Sequence, residues 1–196
     1  MRIVLTGGPG AGKTTVAAAL ATTEPQAFAL VPEAATRVYD LLRTRWDRLD
    51  AEGRRDVQRR IFRLQREQEE LADAAHPGNV LLLDRGSVDG AAYWPDGAED
   101  YFRDVGTTHA AELRRYDAVI WMESAAALGI YGGCSSNPCR FEDPAAAIAI
   151  GQRLFDVWNG HPALHRIQAF PSIDEKIAAV RAVMEQLMRG RSACSS

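Results

Sequence analysis

The sequence predicts an α/β fold, a five-stranded parallel sheet with helices on both faces. Three observations carry that prediction. Five short apolar runs (2–6, 27–31, 79–83, 116–122 and 164–170) alternate with stretches of helical spacing, the order expected of strand–helix–strand units. Runs such as Val80-Leu81-Leu82-Leu83 are apolar at successive positions, which fits strands covered on both faces. Glycines or charged residues come just after the first four runs: Gly7, Glu33 behind Pro32, Asp84 and Glu123. Ligands of parallel sheets bind at the carboxyl ends of the strands, so these are the positions where function is expected.

Each element has its own signal. After the strand at 2–6 come glycines and the alanine-rich stretch 14–22, a good helix former. A second buried strand at 27–31 closes at Pro32-Glu33, and helical spacing resumes over 34–45. Asp50, Glu52 and Gly53 mark a break. Over 54–75, Val57, Ile61, Leu64, Leu71 and Ala75 recur at helical steps and form one face of a long helix. Arg55, Arg59, Arg60, Arg63, Arg66, Glu67, Glu69 and Glu70 occupy its other faces, a solvated surface of local ion pairs. His76-Pro77-Gly78 ends it. The central strand at 79–83 leads to Asp84-Arg85-Gly86, and 87–113 should be mostly helical with a turn at Pro95-Asp96-Gly97. The fourth strand, 116–122, precedes a Gly/Ser/Asn loop at 132–138. Asp143-Pro144 then reads as an N-cap with proline in the first turn of a helix ending near Asn159-Gly160. A last strand over 164–170, a helix over 172–188 and a loose tail over 189–196 complete the chain.

One domain of 196 residues accommodates all of this, with a helical insert at about 34–76 and a lid at about 128–150. A net charge of −3, with 46% hydrophobic and 25% charged residues, excludes a disordered or collagen-like chain. It also lacks the basic footprint of general nucleic-acid binding. The three cysteines, Cys134, Cys139 and Cys194, are odd in number and have no second pair of metal ligands. A disulfide framework is therefore not expected, and a reducing, cytoplasmic setting is. The N-terminal apolar stretch, Ile3-Val4-Leu5, is too short for a signal peptide, and no apolar run is long enough for a membrane span.

Residues 7–14 read Gly7-Gly8-Pro9-Gly10-Ala11-Gly12-Lys13-Thr14 and satisfy G-x-x-x-x-G-K-[ST] between a strand and a helix. Glycines let successive N–H groups turn toward phosphate oxygens, and the helix N-terminus adds its dipole. The predicted phosphate-binding set is Gly8, Pro9, Gly10, Ala11, Gly12, Lys13, Thr14 and Thr15. Lys13 places charge on the β- and γ-phosphates of ATP or GTP, and the Thr14 hydroxyl faces Mg²⁺. Lys13 is conspicuous because the chain has only two lysines, Lys13 and Lys176, against 21 arginines.

A nucleotide-bound Mg²⁺ needs few protein carboxylates. Asp84 is the first candidate and Glu123 the second, while a helix N-cap is the competing role for Asp84. Arg85, beside it, is expected to contact the acceptor or the transferring phosphoryl group. Glu33 is placed to orient or deprotonate an acceptor hydroxyl. Arg37 lies one helical turn further on, and Asp89 and Tyr93, four apart, share a face suited to a polyol or ring; Tyr93 and Trp94 fit a core role equally well. Arg140, in the lid-like loop, would add positive charge over the site. His161 reads as a structural histidine.

These residues together resemble a family: the P-loop, Pro32-Glu33-Ala34 with Arg37, Asp84-Arg85-Gly86 with Asp89 and Tyr93, and Arg140 before a helix ending Trp158-Asn159-Gly160-His161-Pro162. The pattern looks like the small P-loop kinases, also labelled AAA-type ATPases, typified by the ribosylnicotinamide kinase domain of the bacterial NAD regulator. It is more distantly similar to deoxynucleoside kinases, which carry Glu-Pro where this chain has Pro32-Glu33. The resemblance implies a P-loop NTPase fold and a kinase. Motor ATPases pair the strand-end aspartate with a glutamate, whereas Arg85 follows Asp84 here.

The expectation is therefore an ATP- or GTP-dependent, Mg²⁺-requiring phosphotransferase. Lys13, Glu33, Asp84, Arg85 and Arg140 would carry the reaction, and the resemblance makes a nucleoside-like or ribosyl acceptor the first choice. A nucleotide-dependent switch acting on a protein partner is the alternative. A nucleic-acid-directed kinase is disfavoured by the acids interleaved through 43–66. The helix over 54–75 could also pair with a second copy of the chain.

Overall fold

The computed structural model describes residues 1–130 and 143–194, with side chains described through residue 190. Arg140, Cys134, Cys139 and the middle of the expected lid lie outside the described residues.

The five strands are β1 (Arg2–Thr6), β2 (Phe28–Val31), β3 (Val80–Asp84), β4 (Ala118–Met122) and β5 (Leu164–Ile167). All pair in parallel, in the order β2-β3-β1-β4-β5. Leu5 of β1 lies opposite both Asp84 and Ile120. That register brings Gly7, Asp84 and Glu123 to one edge of the sheet, as the strand-end rule requires.

Successive side chains of the strands point to opposite faces. Ile3, Leu5, Leu82, Ile120 and Met122 pack with Val16, Ala17 and Leu20 of α1 (Lys13–Thr23) and Val180 and Met184 of α7 (Ile173–Cys194). Val4, Leu81, Leu83 and Val119 face the other way. They meet Phe62 of α3 (Ala51–Ala75), Tyr101 of α4 (Ala98–Asp104) and Trp158 of α6 (Pro144–Trp158). Leu81, Leu82 and Leu83 are all fully buried, so β3 is covered on both faces; each such side chain stabilises the fold by about 1.5–3 kcal/mol.

Several expected boundaries move, each for a local reason. α2 (Ala34–Leu42) stops short of 45 because Arg43 takes a left-handed conformation at φ 50° and closes the helix. The cluster read as a break at 50–53 is the start of α3. The Asp50 carboxylate accepts from the Gly53 N–H at 2.8 Å and caps it. Residues 87–113 are a 3₁₀ segment (Ser87–Tyr93), α4 and α5 (His109–Leu113). β5 ends at Ile167. The tail expected to be loose continues α7 to Cys194, since only Gly190 interrupts a run of helix-compatible residues.

The buried face of α3 is the main correction. The buried residues are Val57, Gln58, Phe62, Gln65 and Glu69, while Leu71 is 62% exposed. Polar side chains face inward because partners meet most of them there. Glu69 accepts from Arg115 at 2.7 Å and from the Tyr116 hydroxyl at 2.9 Å. Ser87 donates to the equally buried Glu112 at 2.6 Å. Buried carboxylates are tolerated when paired in this way. His161 is structural: its Nδ1 accepts from the Ala163 N–H at 3.1 Å and its Nε2 donates to the Tyr116 carbonyl at 2.9 Å. Among the described residues no helix is long and apolar enough to cross a membrane.

Candidate active site

The loop between β1 and α1 folds as its glycines allow. Gly10 and Gly12 take φ of 73° and 83°, values that residues with a Cβ adopt only under strain. A Cβ on Gly8 would strike the Ala147 carbonyl, so α6 packs directly on the loop. Ser124 donates to the Pro9 carbonyl at 2.5 Å. Lys176, at the start of α7 and 3% exposed, donates to the carbonyls of Ala11 (3.1 Å) and Glu123 (2.8 Å). Burial lowers the Lys176 pKa, against the pull of Glu123. Both lysines of the chain thus meet at this loop. Lys13 donates to the carbonyls of Gly7 (2.8 Å) and Gly8 (3.2 Å).

Thr14 donates to Asp84 Oδ2 at 2.6 Å. Asp84 is 1% exposed, and its Oδ1 has no hydrogen-bond partner among the described residues. Burial and the Glu33 charge raise its pKa, outweighing Lys13, Thr14 and Arg85. A hydroxyl beside a carboxylate with an open oxygen is the donor set Mg²⁺ takes when phosphates and water supply its remaining ligands. Among the described residues no three His, Cys, Asp or Glu side chains could hold a metal by themselves. Glu123 is engaged elsewhere: its Oε2 accepts from the Ala169 N–H at 3.0 Å, and Arg166 lies 3.8 Å from Oε1. Nor is Asp84 a helix cap; Gly86 holds that position before the 3₁₀ segment.

Arg85 has φ 80°, uncommon for a residue with a side chain. Its N–H donates to the Leu5 carbonyl (3.1 Å), and its own carbonyl accepts from Gln65 Nε2 (3.2 Å). The guanidinium pairs with Glu33 Oε1 and with Asp89 Oδ2, the latter at 3.1 Å. Thr36 donates to the other Glu33 oxygen at 2.8 Å. Burial alone would raise the Glu33 pKa, but Arg85 and Lys13 overcome it and hold the carboxyl at about 2. Asp89 is held by three donors: Thr6 donates to it at 3.0 Å and Trp158 Nε1 at 2.6 Å, besides Arg85. It acts as a buried anchor for Arg85. Gly86 has no side chain because the Trp158 ring fills that space.

A cavity of about 140 Å³ runs from the loop into the body of the protein. Pro9, Lys13 and Thr14 line it, as do Glu33, Arg85 and Asp89, and aromatic walls come from Tyr39, Trp46, Phe62, Tyr93 and Tyr101. The Arg85 guanidinium lies 5.7 Å from the Tyr93 ring, and Trp46 meets Tyr93 edge-on at 5.6 Å. Of the residues predicted for the site, Lys13, Thr14, Glu33, Asp84, Arg85, Asp89 and Tyr93 are brought together. Arg37 is exposed and does not line the cavity, and Thr15 is exposed on α1. Trp94 belongs to the core, its Nε1 donating to Asp100 at 2.8 Å. Sequence reasoning gave no role to Lys176 or the amides of α3, and Trp158 entered it only as part of the family pattern. The scarcity of lysine was a usable signal for Lys176; the inward polar face of α3 gave none.

A family model described as an AAA domain matches residues 2–176. The chain belongs to the AAA-domain family. No curated protein matches the sequence of this AAA-domain chain. Among solved structures, the thymidylate kinase of Candida albicans is similar, with a TM-score of 0.65 over 94% of this chain and 91% of that one, at 15% identity. The AAA-domain chain therefore has the P-loop NTPase fold found in that kinase, with a five-stranded parallel sheet between layers of helices.

Proposed function

We propose that the protein is a Mg²⁺- and nucleoside-triphosphate-dependent kinase that transfers the γ-phosphoryl group to a hydroxyl of a small, ring-bearing acceptor. One observation carries the reading: the cavity joins the phosphate loop, through Glu33 and Arg85, to an aromatic enclosure. A switch that signals to a protein partner has no use for such an enclosure beside its phosphates.

Lys13 and the loop N–H groups would hold the β- and γ-phosphates, while Thr14 and Asp84 would hold Mg²⁺, which supplies charge neutralisation. Arg85 would stabilise the charge that collects on the transferring group. With its carboxyl at about 2, Glu33 is ionised at neutral pH and a weak base. Its role is to accept a hydrogen bond from the acceptor hydroxyl and aim its oxygen at phosphorus, a contribution of positioning. Arg140 remains a candidate from the sequence for the lid side. A nucleoside-like or ribosyl acceptor fits both the ring-sized enclosure and the resemblance to ribosylnicotinamide kinases. ATP and GTP are both admitted as donor.

The test is phosphoryl transfer read by mass spectrometry, using Mg²⁺ with ATP or GTP and a panel of nucleosides, ribosides and polyols. A gain of one phosphoryl group on a ring-bearing acceptor, lost in Lys13→Ala and strongly reduced in Glu33→Gln, is expected. Tight nucleotide binding with only slow, acceptor-independent hydrolysis would overturn the proposal in favour of the switch.

A further inference from the structure

Trp158, at the end of α6, is the largest fully buried side chain among the described residues. Packing explains its rings. The six-membered ring takes the space of a Gly86 side chain, whose Cβ would stand only 2.9 Å from Trp158 Cζ2. Tyr116 meets the indole edge-on at 5.3 Å. Packing does not explain the choice of acceptor for the N–H. A buried indole needs a hydrogen-bond partner, and here the partner is a carboxylate: Nε1 donates to Asp89 Oδ1 at 2.6 Å.

Asp89 is 4% exposed and divides its two oxygens. Oδ1 receives Trp158, Oδ2 receives Arg85 Nη1 at 3.1 Å, and Thr6 Oγ1 lies 3.0 Å from both. A neutral donor at position 158 pins the carboxylate and leaves its charge to Arg85. The indole stands on a fixed element. Two turns before it, Gly151 packs against Gly8 of the phosphate loop, and the Gly151 carbonyl accepts from Trp121 Nε1 at 2.9 Å.

We propose that Trp158 is a positioning residue: its indole N–H orients Asp89, and Asp89 holds the Arg85 guanidinium at the cavity beside Glu33. A long side chain such as Arg85 is aimed by its partners rather than by its backbone. Glu33 holds Nε and Asp89 holds Nη1. When Glu33 engages an acceptor hydroxyl, the bond to Asp89 keeps the guanidinium in place. A displacement of about 1 Å at such a group costs on the order of a hundredfold in rate. The consequence for transfer rests on the kinase reading; the hold on Arg85 does not.

The test compares two substitutions. Trp158→Phe keeps an apolar ring and loses the donor, whereas Trp158→His loses the six-membered ring and keeps a ring nitrogen, Nε2, in the place of the indole Nε1. Thermal unfolding should rank Phe at or above His, because Phe preserves more apolar burial. Hydrogen exchange at Arg85 Nε, read by heteronuclear NMR and identified by its absence in Arg85→Lys, should rank them the other way. It should be at least tenfold faster than wild type in Trp158→Phe, and at least threefold slower in Trp158→His than in Trp158→Phe. Met184→Ala opens a cavity on the other face of the sheet; it should lower Tm and leave this exchange within twofold of wild type. Unchanged exchange in Trp158→Phe, or exchange that simply follows Tm across the variants, would overturn the proposal. Should either Trp158 variant fail to fold, benzothienylalanine at position 158 keeps the indole shape with sulfur in place of N–H, and must give the faster exchange.

Transfer gives the second readout. In Trp158→Phe, kcat should fall tenfold or more while nucleotide affinity, which depends on the phosphate loop, stays within twofold. In an Asp89→Asn background the same substitution should change kcat less than twofold, because the residue it acts through is already altered. An equal fall in both backgrounds would overturn the proposal. The expected exchange pattern in a protein that transfers to no acceptor would support the hold on Arg85 while removing the kinase reading, so the two fail separately.

Discussion

Glu33 provides the sharpest test of how the site is held together. Arg85 and Lys13 hold its carboxyl at about 2 against an ordinary 4.5. Each tenfold change in proton affinity corresponds to about 1.4 kcal/mol, so the charged form of Glu33 contributes about 3 kcal/mol to stability at neutral pH. Because the folded-state value is the lower one, this stability is present above pH 4.5 and is lost as pH falls toward 2. Replacing Glu33 by Gln removes the charge and keeps an oxygen that can still accept from Arg85. The measured loss at pH 7 should therefore be about 2–3 kcal/mol in urea unfolding followed by circular dichroism. At pH 3.5 the unfolded chain's carboxyl is mostly protonated, and the gap between wild type and variant should narrow by about 1 kcal/mol. A loss well under 1 kcal/mol at pH 7, or a gap that does not change down to pH 3.5, would refute the claim that Arg85 and Lys13 set the state of this carboxylate.

Two further substitutions separate the metal side from the scaffold. Asp84→Asn should leave the nucleotide-free protein as stable as the wild type or more so, because it removes a buried charge with an open oxygen. The same variant should lose the rise in Tm that Mg²⁺ with nucleotide gives the wild type; a retained rise would assign the metal elsewhere. Lys176→Met keeps the length of the side chain but removes both hydrogen bonds that hold the carbonyls of Ala11 and Glu123. It should cost on the order of 2–4 kcal/mol and weaken nucleotide binding several-fold, which equilibrium unfolding and a nucleotide titration would detect; a neutral result would show that the phosphate loop does not need this strut.

The parts of the site that were legible in the sequence are those whose chemistry is local or follows from one rule of the fold. Residues 7–14 could be read because each glycine, Lys13 and Thr14 act within a single turn of backbone. Asp84, Arg85 and Glu33 could be read because ends of parallel strands face the ligand edge. The family resemblance pointed to the same residues and adds the acceptor class, which belongs to the proposal. The assignment failed at α3. Leu71 and Ala75 continued a helical apolar period in the sequence, but the face that turns inward carries Gln58, Gln65 and Glu69. A polar residue reads as solvated until its partner is known, and Glu69's partners Arg115 and Tyr116 lie 46 and 47 residues away.

The sequence by itself determined the strand–helix order, the phosphate loop and the row of charged residues at the strand ends. These depend on side-chain periodicity and on backbone freedom at glycine, which act over a few residues. The tertiary structure decided which charges meet. It turned Arg85 to φ 80° so that its guanidinium spans Glu33 and Asp89. It brought Lys176 across 165 residues of chain to the carbonyl of Ala11, and it turned Gln58 of α3 toward an aromatic cavity. Such pairings depend on packing between elements far apart in the chain, and no local pattern of residues encodes them.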